Sequence, residues 1–115
     1  MEKPRLNIRR VSGAVIVELI GEHDLSTHGE VERALMEISP GEACIIDLTP
    51  ATFIDSSILT VLVQATTREG LCASTVVVAP PGSPGARLFE ITQATSVVRV
   101  CSSLDEALDS VMISE

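Results

Sequence analysis

The sequence predicts an α/β fold: a central mixed β-sheet, built from an opening hairpin and then parallel strands, covered by about four helices. Three observations predict it. Short β-branched runs alternate with longer segments of helical periodicity, the first two runs are separated only by a turn, and cap or turn residues mark most junctions. The predicted order is β-β-α-β-α-β-α-β-α, and alternation of this kind implies parallel pairing through crossover helices.

Leu6-Asn7-Ile8-Arg9-Arg10 reads as a first strand, Ser12-Gly13 as a turn, and Ala14 to Ile20 as the second strand of an antiparallel hairpin. Thr27 with Glu30 forms a capping-box pattern, and Val31, Leu35 and Ile38 then recur at helical spacing until Pro40-Gly41. Cys44 to Leu48 is an apolar run broken only by Asp47, hence a buried strand. Phe53-Ile54 leads into Asp55-Ser56-Ser57, which opens an apolar helix toward Glu69, with Gly70 placed to close it. Ser74 to Ala79 is the next strand. After a Pro- and Gly-rich loop, Ser83 and Pro84 suit the cap and first turn of a helix through Ile91. Val97 to Val100 reads as the last strand. Ser103 with Glu106 caps a final helix whose Leu104, Ala107, Leu108 and Val111 form one apolar stripe.

A chain of 115 residues has the size of one domain, 1–115, and shows no repeat, linker or low-complexity segment. Apolar residues make up 45% and aromatics 2%, the two aromatics being Phe53 and Phe89, so the core is aliphatic, made largely of Val, Ile, Leu and Ala. The formal charge of −8 opposes binding to nucleic acid phosphates or anionic lipid. It favours a basic patch on a protein partner, and it equally serves solubility. No apolar run approaches the length of a membrane helix, and residues 1–10 carry four basic residues without the apolar core of a signal peptide. Cys44, Cys72 and Cys101 are widely spaced with no CxxC pair, which suits reduced thiols in the cytoplasm better than a zinc site.

The segment Phe53 to Leu59 carries the most information about function. A hydroxyl or carboxylate at a helix start satisfies unpaired amides, so Asp55, Ser56 and Ser57 can be caps and nothing more. One serine suffices as a cap, however, which leaves the other for solvent, and a helix N-terminus tolerates a phosphate. The helix itself places Leu59, Leu62 and Val63 on one side and Ile58, Val61 and Ala65 on another. Either the fold covers it on two sides or part of it is a partner surface. Enzyme readings find little support. The chain has only His23 and His28 and no G-x-S-x-G turn for a serine hydrolase. His23, Asp24 and His28 read more simply as a polar loop than as metal ligands. The prolines of Pro81-Gly82-Ser83-Pro84-Gly85 remove amides that a phosphate loop needs.

Gly21-Glu22-His23-Asp24 after a hydrophobic strand, Ile46-Asp47-Leu48 ending the next, and Phe53-Ile54-Asp55-Ser56-Ser57 opening a helix together resemble the STAS domain. The pattern is most similar to bacterial anti-sigma factor antagonists, and Arg87-Leu88-Phe89 extends the likeness, which runs from residue 6 to residue 112. The resemblance implies the STAS fold and a non-catalytic regulator without a cofactor. Its partner would be an anti-sigma factor that is itself a serine kinase. Phosphorylation would fall on the first serine, Ser56, with a phosphatase restoring binding, and nucleotide and magnesium would belong to the partner. The implied interaction surface comprises Asp24, Ser26, Asp55, Ser56, Ser57, Ile58 and Val61. Three positions depart from the family pattern: Ile58 stands where Gly is usual, Thr60 at another small position, and His23 at a commonly apolar one. Two other functions fit the same features. One is a STAS subunit of another assembly, stressosome-like or lipid-transporting, that binds without phosphate; the other is a small-ligand or nucleotide sensor.

Overall fold

The structure is a computed structural model that describes residues 3–11, 13–38, 42–67, 74–96 and 98–112. Strands β1 (Arg5–Val11) and β2 (Ala14–His23) form the antiparallel opening hairpin, in register from Arg5 opposite Ile20 to Val11 opposite Ala14. There follow α1 (His28–Met36), β3 (Ala43–Asp47), β4 (Ala51–Ile54), α2 (Ser56–Thr67), β5 (Ser74–Val78), α3 (Pro84–Thr92), a 3₁₀ turn (Ala94–Ser96), β6 (Val100–Cys101) and α4 (Leu104–Met112). The sheet order is β1-β2-β3-β5-β6 with β4 on the other half of β2, and all pairings after the hairpin are parallel. The α/β mixed sheet with four helices is therefore as the sequence predicts.

Side-chain alternation along β2 divides the core in two. Val15, Val17 and Leu19 face the layer of α1, α2 and α3, where Val31, Leu35, Leu62 and Phe89 pack with them. Ala14 and Ile16 face the other way, onto Ala107 and Val111 of α4, with Leu104 and Leu108 at the margin of that cluster. The predicted stripe on the last helix is thus the seal on the second face of the sheet. Helix α2 is covered on two sides. It packs against α1, β5 and α3, and Ile58, Leu59, Val61, Leu62 and Ala65 are all buried. That arrangement decides between the two readings of its apolar faces: cover comes from the fold.

Several local expectations are corrected. Ala51–Ile54 is a strand in its own right, because β2 runs on to His23 and offers free backbone groups beyond the end of β3. The last strand is confined to Val100–Cys101; Val97 lies outside the described residues, and Val98 turns into the core, its amide bonded to the Ala94 carbonyl. Thr27 occupies the N-cap position of α1, but its side chain caps nothing there, being engaged by His23 and the Asp24 carbonyl. Ser103 does cap α4, accepting from Glu106 N at 3.1 Å, whereas the Glu106 carboxylate reaches one residue further back, to Ser102. Ser83 caps α3 as predicted, accepting from Ala86 N at 3.2 Å with Pro84 in the first turn. Pro40, Gly41, Glu69, Gly70 and Cys72 lie outside the described residues, and Cys44 and Cys101 are buried cysteines outside any disulfide.

The switch of β2 from one partner to the other falls at Gly21. Ala14 to Glu18 pair with β3, Gly21 to His23 pair with β4, and the register slips between Gly21 and Glu22. Gly21 has φ +86°, its amide donates to the Pro50 carbonyl at 3.1 Å, and it is buried. Only glycine enters that conformation without cost. Gly21→Ala is expected to lose about 1–2 kcal/mol, read as a lower urea midpoint at unchanged m-value.

Candidate functional site

Three strands that point the same way, β2, β3 and β4, each have an aspartate as the last residue or the next one on, followed two residues later by a hydroxyl residue: Asp24-Leu25-Ser26, Asp47-Leu48-Thr49 and Asp55-Ser56-Ser57. In each, one carboxylate oxygen accepts from the amide two residues on, at 2.9, 3.0 and 3.0 Å respectively. This is the turn that aspartate favours when it leaves a strand. Asp47 is buried and directs the chain into β4, a structural duty. The other two turns lie on the surface, side by side. Parallel pairing places His23 opposite Ile54, and the Asp55 amide donates to the His23 carbonyl at 3.3 Å.

Asp55 is the cap of α2. Its Oδ1 accepts from Ser57 N at 3.0 Å, Ser57 Oγ at 2.6 Å and Ile58 N at 3.3 Å, while its carbonyl takes the first helical bond from Leu59 N. Ser57 is therefore tied down. Ser56, the residue between, is exposed, and its hydroxyl takes no hydrogen bond among the described residues; its carbonyl accepts from Thr60 Oγ1 at 3.0 Å. The two serines thus differ in kind: one completes the cap and the other points to solvent.

The Asp24 turn has the same construction. Ser26 donates to Asp24 Oδ1 from its amide at 2.9 Å and from its hydroxyl at 2.6 Å. Those bonds, the hydroxyl first, hold the Asp24 carboxyl below the usual aspartate range. Behind the turn, His23 is buried with every ring nitrogen engaged. Its Nε2 sits 3.2 and 3.1 Å from the Arg5 and Ile20 carbonyl oxygens, two acceptors, so that nitrogen carries the proton; Nδ1 pairs with Thr27 Oγ1 at 3.0 Å. His23 ties β1, β2 and the entry to α1 together. A polar residue at this buried position is stable because its partners are complete.

Of the residues implicated from sequence, Asp24, Ser26, Asp55, Ser56 and Ser57 are gathered at this one edge. Ile58 and Val61 are not surface residues: their side chains are buried beneath α2, packed from both sides, and offer a partner nothing to touch. It follows that Ile58 adds no bulk above Ser56. His28 does not join His23 and Asp24; its Nδ1 donates to the Leu25 carbonyl at 3.1 Å. Among the described residues no group of three His, Cys, Asp or Glu side chains converges as metal ligands. In the first turn of α3, Gly85 packs closely on Leu48, since a Cβ there would lie 2.9 Å from Leu48 Cδ1. Sequence reasoning passed over Leu25, which is exposed at the tip of the Asp24 turn; the signal was the repeated Asp-x-Ser pattern at residues 24 and 55.

The STAS domain family model matches residues 5–107 of the chain. No curated protein sequence matches it. Among solved structures, an anti-sigma factor antagonist from Mycobacterium paratuberculosis is similar at a TM-score of 0.86 and 25% identity, over 96% of this chain and 95% of that one. The anti-sigma factor antagonist SpoIIAA in its unphosphorylated form aligns at 0.69 and 19% identity, over 94% and 98% of the two chains. The Bacillus cell fate determinant SpoIIAA in its phosphorylated form aligns at 0.63 and 18%, over 93% and 99%. No helix among the described residues is long and apolar enough to cross a membrane.

Two outcomes test the turn geometry. Asp55→Ala should destabilise the fold by about 1 kcal/mol through loss of the cap, and Asp55→Asn by less. For Asp24, carboxyl titration by NMR should give a value below the usual one, restored toward it in Ser26→Ala. The sign follows from linkage: a depressed carboxyl contributes stability above its unfolded pKa, lost as pH falls through the native one.

Proposed function

Because the chain belongs to the STAS domain family, we propose that it is an anti-sigma factor antagonist: a non-catalytic, cytoplasmic module that binds an anti-sigma factor and is switched by phosphorylation of Ser56. The observation that carries this reading is the division of labour at the start of α2. Asp55 and Ser57 complete the cap, so the exposed Ser56 hydroxyl is available to a kinase without unravelling the helix. The likeness to SpoIIAA, solved in both unphosphorylated and phosphorylated forms, supports the same assignment.

The chemistry is that of an anti-sigma factor acting as serine kinase. Ser56 Oγ bonds to the γ-phosphorus of ATP as the bond to ADP breaks, and the hydroxyl proton passes to a base on the kinase. The product is tolerated by the fold, since the cap does not draw on the Ser56 hydroxyl and an anion at a helix N-terminus faces the positive end of the dipole. It is not tolerated by the interface. Phosphate brings about −1.5 to −2 charges next to Asp55 and the ionised Asp24, where the partner was matched to a hydroxyl. A hundredfold loss of affinity needs only about 2.7 kcal/mol, which one misplaced dianion in an interface can supply. A phosphatase would then restore binding. With Ile58 and Val61 buried, the binding surface is Asp24, Ser26 and Asp55 to Ser57.

Incubation with the anti-sigma kinase encoded nearest this gene and ATP should add a single phosphate by intact mass, absent from Ser56→Ala. Complex formation without any phosphate would favour the assembly-subunit reading instead. Neither binding nor phosphate would remove the anti-sigma assignment.

A further inference from the structure

An interface around Ser56 needs an apolar centre, because most binding energy comes from a few desolvated anchors. The residues that the sequence offered for that purpose, Ile58 and Val61, are buried. The structure presents another. Leu25 is 67% exposed, and it occupies in the Asp24 turn the place that Ser56 occupies in the Asp55 turn: the central residue of an Asp-x-Ser bend whose carboxylate holds both the amide and the hydroxyl of the serine, at 2.9 and 2.6 Å in one case and 3.0 and 2.6 Å in the other. The two turns leave neighbouring parallel strands, about 5 Å apart, with His23 opposite Ile54 and the Asp55 amide bonded to the His23 carbonyl.

The Leu25 backbone is held as firmly as its neighbour. Its carbonyl accepts from the His28 amide at 3.4 Å and from His28 Nδ1 at 3.1 Å, while Thr27 closes the turn from its amide to the Asp24 carbonyl at 3.0 Å. A large apolar side chain carried out of the fold on a fixed turn loses little conformational freedom on binding, which is the property of an anchor. Its surroundings define the complement. Asp24, on the same turn, stays ionised, and Asp55 adjoins it.

We infer that Leu25 is the apolar anchor of the antagonist surface, seated in an apolar socket of the partner that is flanked by Lys or Arg, so that the twin turns deliver Leu25 and Ser56 to the partner together. This rests on the Ser56 reading above and adds a specificity residue to it. Leu25 is a positioning residue: it acts on how the protein substrate is held and leaves the transfer step itself alone.

The test compares wild type, Leu25→Ser, Leu25→Met and, as a control of matching exposure on α3, Ile91→Ser, against the same anti-sigma kinase. Leu25→Ser should weaken binding by at least about tenfold, and raise the KM for phosphorylation of Ser56 while kcat is held. Leu25→Met should recover most of the affinity, and Ile91→Ser should match wild type. Melting temperatures should agree across the set, since the side chain packs against little. Equal affinity and KM for Leu25→Ser would overturn the anchor while leaving the Ser56 reading intact. Loss of affinity in Ile91→Ser to the same degree would overturn it too, as would a change of oligomeric state confined to Leu25→Ser, which would assign the residue to contact between copies. Wild type that neither binds nor is labelled would remove the underlying reading and the anchor with it.

Discussion

The structure depends on one strand serving two partners. The first half of β2 pairs with β3 and the last three residues pair with β4, and the change occurs at a buried glycine with positive φ. If β2 paired with β3 along its whole length, the segment before α2 would be a loop over the sheet edge. Instead it is pinned by a parallel ladder, and the ladder places Asp55 beside the end of β2. The position of Ser56 in space is thus set by backbone bonds and a core of aliphatic side chains, with little left to loop flexibility. Sites mounted in this way keep their geometry when a partner approaches.

From that placement follows a separation of duties that local chemistry alone would not impose. A helix start has several unpaired amides and is content with any nearby acceptor. Here the acceptor is the Asp55 carboxylate, supplemented by the Ser57 hydroxyl that bonds to it. The fold therefore does not draw on Ser56, and charge can be added there at small cost to stability and large cost to an acidic interface. The buried His23 contributes from behind, joining β1 and β2 to the Thr27 hydroxyl under the Asp24 turn. Asp24 and Asp55 stand on neighbouring turns at this edge, so under the proposed switch a phosphate on Ser56 would add charge of the same sign beside them.

Much of this was legible in the residues. The hairpin and β5 announced themselves by dense β-branched content, β3 by its apolar run, and the Ser83-Pro84 start of α3 by two residues whose preferences coincide. The Asp55-Ser56-Ser57 element was recognisable because it combined capping residues with one hydroxyl more than a cap requires. What stayed hidden depended on tertiary placement. Ala51-Thr52-Phe53-Ile54 is four residues long, with two exposed side chains in succession, and lacks the alternation that betrays a strand; its pairing with β2 creates it. The cap pattern at Thr27 failed because a buried histidine, four residues earlier, claimed the hydroxyl. Ile58 and Val61 looked like surface contacts since apolar residues on two faces of a helix have the same pattern whether a neighbour or a partner covers them. The packing of α1 alongside α2 supplies the neighbour. Leu25 stayed hidden for the converse reason: a single leucine in a polar loop carries no periodic signal, and its place beside the Asp55 turn comes from the pairing of β2 with β4.

The proposed switch is charge at Ser56, read by the partner. It is tested most directly by titrating the anti-sigma factor, without ATP, into unmodified protein and into protein carrying a single phosphate on Ser56, at the same pH and salt. Phosphorylation should lower the affinity by about a hundredfold or more, with the melting temperature of the free protein little changed. Equal affinity of the two forms would contradict it, and would mean that the partner is recognised elsewhere on the molecule.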